Sequence, residues 1–360
     1  MASRYWVGGT ANWNATAGTK WSATSGGAGG SSVPTTSDDV FLDGNSGAGT
    51  VTIGTFVTIN ALNLNFTGYT GSFTINTSTV NIHGSLTLSS GMTYSAISSS
   101  NIFFQGTSSH TITMAGKTHN GTATFEGSGG TWVLQDTLNC GGGVTLTRGT
   151  LDLNNQNLEA LTFVSSNSNT RTLTLGSGTI TLTGTGSVWS MATITNLTLN
   201  RGTSVIKITN SSATTKTFAG GGRTYNDLWI AMGTSTADLI ITGSNTFNQF
   251  KDDGTGVHTI RFTEGTTQTI TDWQVSGNVG QLISIRSVST ATHSLVKAGG
   301  GQISANYLNI QNSVATPAST WYAGANSTNN QGVATIGSGW IFTVPPSFNP
   351  AFIRRLLLLN

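Results

Sequence analysis

From about residue 50 to residue 315 the chain alternates apolar and polar residues in short runs, each closed by Gly, Asn, Thr or Ser and nearly free of charge. Leu62-Asn-Leu-Asn-Phe66, Phe73-Thr-Ile75, Val80-Asn-Ile82, Ile112-Thr-Met114, Leu151-Asp-Leu153 and Ile180-Thr-Leu182 are typical, and Leu228-Trp-Ile230, Ile260-Arg-Phe262 and Leu308-Asn-Ile310 continue the pattern. A period of two sends side chains alternately to a dry face and a wet face, which predicts β-strands. With turn residues every 8 to 12 positions or so, three strands take up about 20 to 30 residues. A chain that turns three times and returns above its start is a right-handed single-stranded parallel β-helix, with like residues of successive rungs about 4.8 Å apart. About ten to thirteen rungs would make a rod of roughly 50 to 60 Å. Antiparallel sandwiches compete, because the same turns serve either arrangement.

The rhythm divides the chain. Residues 1–50 hold Trp6, Trp13 and Trp21 and predict an N-terminal aromatic cap over a sheet edge that would otherwise invite aggregation. Residues 51–316 are the rod, and residues 317–344, with Trp321-Tyr322 and Trp340-Ile-Phe342, predict a C-terminal cap. Pro345-Pro346 cannot donate to a ladder and opens a tail over residues 345–360. In that tail Phe352, Ile353, Leu356, Leu357, Leu358 and Leu359 surround Arg354 and Arg355. Such a segment would be a sticky patch in water, so it is expected to dock onto a partner or a sister subunit.

Composition narrows the function classes. Only 8% of residues are charged and 47 are Gly, which disfavours helices, while the regular apolar positions argue against disorder. The net charge is +2 and Arg354-Arg355 is the one basic run, so a nucleic-acid partner is not expected. No stretch approaches 18 apolar residues, so no membrane span is expected. The opening Met1-Ala-Ser-Arg-Tyr-Trp-Val-Gly8 has no apolar core of an export leader. Cys140 is the single cysteine, which removes any disulfide framework.

Candidate chemistry is sparse. An enzyme on such a scaffold would cleave polysaccharide with carboxylates on one face of adjacent rungs. The one-rung spacing nominates Asp227, Asp252 and Asp272 as a column, and Glu126 and Asp152 as another; with 13 acids, chance spacing explains both as well, and no enzyme is expected. Asp38, Asp39 and Asp43 with Asn45 offer hard oxygens to Ca²⁺ but match no calcium loop, and a strand with Asp39 outward and Val40 and Leu42 inward accounts for them equally. The five histidines have no ligand spacing, so neither metal nor cofactor is expected. Trp189, Trp229 and Trp273 sit at strand positions, where an exposed ring would stack on a sugar or bury in a subunit interface. Trp229, between Leu228 and Ile230, is expected to point outward.

Tyr5-Trp-Val-Gly-Gly-Thr-Ala-Asn-Trp-Asn14, with Trp21-Ser22, Val33-Pro34 and Asp38-Asp-Val-Phe-Leu-Asp43, resembles the N-terminal cap of β-solenoid surface proteins of bacteria and their phages. Phe262-Thr-Glu-Gly-Thr-Thr-Gln-Thr-Ile270, Tyr307-Leu-Asn-Ile-Gln-Asn-Ser-Val-Ala315, Trp321-Tyr-Ala-Gly-Ala-Asn-Ser327 and Gly339-Trp-Ile-Phe-Thr343 resemble a module of the same class. The resemblance implies a homo-oligomeric virion rod, with a trimer as one form: a tail fibre, spike or capsid decoration. It also implies contact with other virion proteins through the tail and with host-surface glycans. A polysaccharide-degrading tailspike and a bacterial adhesin are the alternatives that the same fold serves.

Overall fold

The computed structural model describes residues 2–15, 18–330 and 338–346. Its described part is a β-solenoid of about 13 turns with no α-helix and one short 3-10 turn, Gly44–Ser46. Three sides are built by sheets whose strands stack in sequence order. The first is a ten-stranded sheet that includes Ala2–Trp6 and ends at Leu197–Asn200. The second begins as a four-stranded sheet, Ala11–Asn12 to Thr93–Ala96, against which a ten-stranded sheet starts at Thr118–His119. The third has thirteen strands, from Thr58–Ala61 to Thr328–Asn329. Pairing between the described strands is parallel throughout, except that Ala2–Trp6 pairs antiparallel with Trp21–Ser22. Facing antiparallel sheets, the competing expectation, are therefore excluded.

The alternation read from the sequence is the physical cause of this stacking. Thr50–Ile53, Thr79–Ile82, Thr122–Phe125 and Thr179–Leu182 each bury their second and fourth residues and leave the others part-exposed. Like residues then pile up in columns, as Val40, Leu64, Leu86, Ile112 and Leu134 do on the first side. Each such side chain withdrawn from water contributes about 1.5–3 kcal/mol, set against the entropy of ordering the chain. From residue 224 the turn simplifies. Thr224–Ile230, Thr246–Asp252 and Thr267–Gln274 run through a corner in one bent strand, and pairing lapses only at Asn226, Asn248 and Thr271.

The first fifty residues are themselves part of the stack. Ala2–Trp6 pairs with Asp38–Phe41, and Ala11–Asn12 with Thr50–Ile53, while Trp6, Trp13 and Trp21 are buried edge to face, 4.8–5.2 Å apart. Near the other end Trp321 packs on Trp340 at 5.1 Å and on Trp273 at 5.7 Å.

Corners set the tolerance to substitution. At the turn Gly127-Ser-Gly-Gly130, a Cβ on Gly127 would lie 1.8 Å from the Gly106 carbonyl oxygen and 2.8 Å from the Trp132 ring. That oxygen belongs to the rung below and cannot withdraw. Gly129, at φ +76°, faces open space, so alanine there meets only the left-handed backbone penalty. Gly127→Ala is expected to cost about 3 kcal/mol and Gly129→Ala about 1 kcal/mol. Urea unfolding of the two variants checks the order, and a reversed ranking would contradict this account of the corner.

Candidate functional site

Beyond residue 204 the second side carries the densest outward chemistry. Leu228, Ile230, Phe250 and Trp273 face inward, so parity turns Asp227, Trp229, Gln249, Lys251, Asp272 and Gln274 outward. Register forms two columns. Asp227 lies beside Gln249 and Gln249 beside Asp272, while Lys207, Trp229, Lys251 and Gln274 follow one another two residues along. Gln249 Nε2 and Gln274 Nε2 both donate to Asp272 Oδ2, at 2.9 and 2.7 Å. Asn248 Nδ2 donates to Asp227 Oδ1 at 3.1 Å. The Trp229 ring is sandwiched between two ammonium groups, Lys207 Nζ at 3.8 Å and Lys251 Nζ at 4.3 Å from its centre. Cation–π attraction at such part-exposed sites is worth about 0.5–1 kcal/mol per contact.

This face brings together some of the expected residues and disperses the rest. Asp227 and Asp272 share a column but are two rungs apart, about 10 Å by strand spacing, with Gln249 between them. Asp252 is not in that column. It shares the parity of Phe250 and points into the rod, where Oδ2 meets His258 Nε2 at 2.6 Å and Oδ1 accepts from the Gly254 N–H at 2.8 Å. Glu126 and Asp152 do not form a column either, because they lie on different sheets: Glu126 follows Thr122–Phe125 on the third side and Asp152 ends a first-side strand. Gln105 Nε2 donates to Glu126 at 2.7 Å, and Asp152 Oδ1 accepts from the Asn154 N–H at 2.8 Å.

Two of the three tryptophans are core residues. Trp189 is buried between Phe163 and Phe218, at 4.9 and 6.0 Å. A bulge between Ser187 and Trp189 breaks the alternation there, so that Val188 and Trp189 are both buried. Trp273 stacks on Phe250 at 5.2 Å. Neither ring offers a face to a sugar, whereas Trp229 points outward as its alternation predicts.

The acidic cluster near residue 40 is tied up locally. Asp38 accepts from Thr35 N–H and Oγ1 and sits 3.7 Å from Arg4. Asp39 accepts from Asn63, and Asp43 caps the 3-10 turn. Among the described residues no three His, Cys, Asp or Glu side chains converge as a metal site. The expected docking residues Phe352, Ile353, Arg354, Arg355, Leu356, Leu357, Leu358 and Leu359 lie outside the described residues.

The polar groups that sequence reasoning missed are inside the rod. Arg171 and Lys216 open strands that continue inward through Leu173 and Phe218, so the parity that buries those residues buries the cations too. The Arg171 guanidinium donates to four carbonyl oxygens, of Asn169, Thr195, Ser165 and Thr193, and to Ser165 Oγ, all at 2.7–2.9 Å. Burial, helped by nearby Arg223, lowers its pKa from the usual arginine value, and burial likewise lowers that of Lys216.

His119 Nε2 donates to the Thr122 carbonyl at 3.2 Å and Nδ1 accepts from Tyr94 Oη at 3.0 Å. His293 Nδ1 donates to Ser287 Oγ at 3.0 Å, because that hydroxyl spends its proton on the Asn312 carbonyl, and Nε2 faces the interior without a partner. Burial pushes His119 down to about 4, against a smaller upward pull from the Thr122 carbonyl, and pushes His293 down to about 3. Burial also raises the Cys140 thiol to about 11, with backbone hydrogen bonds opposing it; Cys140 Sγ lies 3.1 Å from the Gly121 oxygen.

Chemically, the Ser287–His293 and Asp252–His258 pairs are sealed from any external polymer. The outward face offers two carboxylates held by amides and an aromatic ring held by ammoniums. No protein-family model, curated protein or solved structure matches this chain.

Proposed function

We propose that the chain is a phage virion structural protein, a fibre, spike or surface decoration whose work is mechanical extension and surface contact. The observation that carries this reading is the parallel stack of about 13 turns, with the Asp252–His258 and Ser287–His293 pairs turned inside and outer polar groups tied to one another. Each added turn contributes ladder hydrogen bonds and a layer of apolar side chains, which stiffens the rod without a cofactor. A chain with only 8% charged residues presents a polar surface that gives nonspecific polyions little to hold. The phage context rests on the resemblance of the end modules. A homo-oligomer, contact with other virion proteins and contact with host glycans belong to the same proposal. Antibody labelling of purified particles by electron microscopy tests it: label on the particle is expected, and particles that carry the protein nowhere would overturn the assignment.

A polysaccharide-degrading tailspike is the second reading, and the pair Asp227 and Asp272 on one face is what favours it. Their spacing of about 10 Å lies just beyond the roughly 6.5–9.5 Å used by inverting glycosidases. A reducing-end assay on host capsule is expected to give no release above heat-denatured protein. Release that disappears in Asp227→Asn and Asp272→Asn would replace the structural reading with the enzymatic one.

A further inference from the structure

Away from that face, the corner between Thr50–Ile53 and Thr58–Ala61 presents the most exposed aromatic side chain among the described residues. Phe56 is 86% exposed and sits at φ +60°. A bulky residue in the left-handed region is an outlier, and Gly or Asn would sit there more easily. The backbone is held in place, since the Phe56 N–H donates to the Thr77 carbonyl at 2.6 Å. A fold that keeps a strained, water-facing ring retains something that costs stability and contributes nothing to the core.

The ring borders an open groove of about 250 Å³, lined also by Thr58, Thr77, Thr79, Ser99 and Asn101. These residues come from three successive rungs, so the lining repeats at strand spacing. Thr77 Oγ1 and Ser99 Oγ are hydrogen bonded at 3.0 Å, and Asn101 Oδ1 accepts from Thr122 Oγ1. The Asn101 amide nitrogen and the Thr58 and Thr79 hydroxyls have no side-chain hydrogen-bond partner among the described residues. The groove carries no charged side chain. On the same side, Phe103 follows Asn60 and Asn81 in an outward column in which Asn81 Nδ2 donates to Asn60 Oδ1 at 3.0 Å.

An exposed ring beside unspent hydroxyl and amide groups matches a pyranose, whose C–H face is apolar and whose rim is hydroxyl. Phosphate- or sulfate-bearing ligands need cations that the groove lacks. We infer that the Phe56 corner is a subsite for a neutral saccharide, with the ring stacking on one sugar and Thr58, Thr79 and Asn101 bonding its hydroxyls. The open shape suits a chain end or branch. This deepens the glycan-contact part of the proposed function, and its failure would leave the structural rod intact, because particle labelling tests that separately.

The full chain is titrated with malto-, cello- and chitohexaose by saturation-transfer NMR and calorimetry, with heparin and polysialic acid as charged comparators. At least one neutral hexaose is expected to bind. Phe56→Gly and Thr79→Val should each weaken that binding tenfold or more, while Phe56→Tyr stays within threefold of the parent. Phe56→Gly should unfold at a urea concentration no lower than the parent, because Gly relieves the positive φ, so lost binding is not lost folding. Absence of binding to all three hexaoses, unchanged binding in Phe56→Gly, or stronger binding of either charged comparator would overturn the assignment.

Discussion

Replacing Arg171 by methionine is expected to lower stability by about 3–5 kcal/mol, the largest effect of any single substitution considered for this chain. Arg171 is 1% exposed and no carboxylate is bonded to its guanidinium; the charge is balanced by four carbonyl dipoles and one hydroxyl. Methionine fills similar space but leaves all five acceptors stranded. Each buried acceptor without a donor costs about 1–3 kcal/mol, partly relieved where water reaches the corner. Arg171→Lys should recover less than half of the loss. One ammonium cannot span the Ser165, Thr193 and Thr195 positions that the planar fork joins.

The effect should be local as well as global, because a solenoid transmits stability mainly between neighbouring turns. Hydrogen exchange should accelerate in Arg171–Thr174 and in its partners Gly149–Asp152 and Leu197–Asn200 before it does at either end. A methionine variant within 1 kcal/mol of the parent in urea unfolding would show that the corner carbonyls are satisfied some other way.

Acidification is expected to destabilise the rod between pH 6.5 and pH 3, and His119 and His293 are the cause. Both are neutral in the fold and lowered to about 4 and about 3, against 6.5 for the free side chain. In that window the unfolded chain binds protons that the folded chain refuses. Stability is therefore complete well above pH 6.5, declines as pH falls from there toward the two folded values, and levels off below them. At about 1.4 kcal/mol per unit, the limits are about 3 kcal/mol for His119 and about 5 kcal/mol for His293. The geometry gives the same sign for His293, since a proton on Nε2 would have no acceptor inside the rod. Urea midpoints at pH 7, 5.5 and 4.5 should fall in that order. His293→Met should flatten the slope, and a midpoint independent of pH would remove the histidines as the cause.

Much of the interior was legible because parity is a local property of an extended backbone. Leu228, Ile230, Ile260 and Phe262 face inward, and Trp229 and Arg261 outward, as their alternation requires. The same rule held signals that went unread. Arg171 in Thr170-Arg-Thr-Leu-Thr-Leu175, Lys216 ahead of Phe218, His258 ahead of Ile260 and His293 ahead of Leu295 all occupy inward slots. They stand at or next to strand starts, where corner carbonyls accept from Arg171 and Lys216, the Asp252 carboxylate pairs with His258 and the Ser287 hydroxyl accepts from His293. A polar residue at inward parity beside a turn is thus a structural donor by position, and composition alone does not reveal it.

Parity failed where a rung is irregular. The bulge before Trp189 turned a predicted surface ring into a core ring, and Trp273 is a core ring because the corner residue Thr271 shifts the alternation, so that Ile270 and Trp273 both face inward. Asp252 fits the Asp227–Asp272 column only by its number of residues per turn, and its parity points it inward. Counting cannot supply register when turns differ in length: Asp227 reaches Gln249 after 22 positions, and Gln249 reaches Asp272 after 23.

The amino-acid sequence by itself determined the strand content, the inward or outward side of most strand residues, and the glycines that corners demand, because backbone geometry over two to four residues decides each of these. Only the tertiary structure decided which residues stand above one another, that Asp227 and Asp272 share a column without Asp252, that Lys207 and Lys251 cover Trp229, and that Phe56 hangs outside its corner. Those relations join residues about 20 or more positions apart, and they depend on how each loop packs against the turn beneath it.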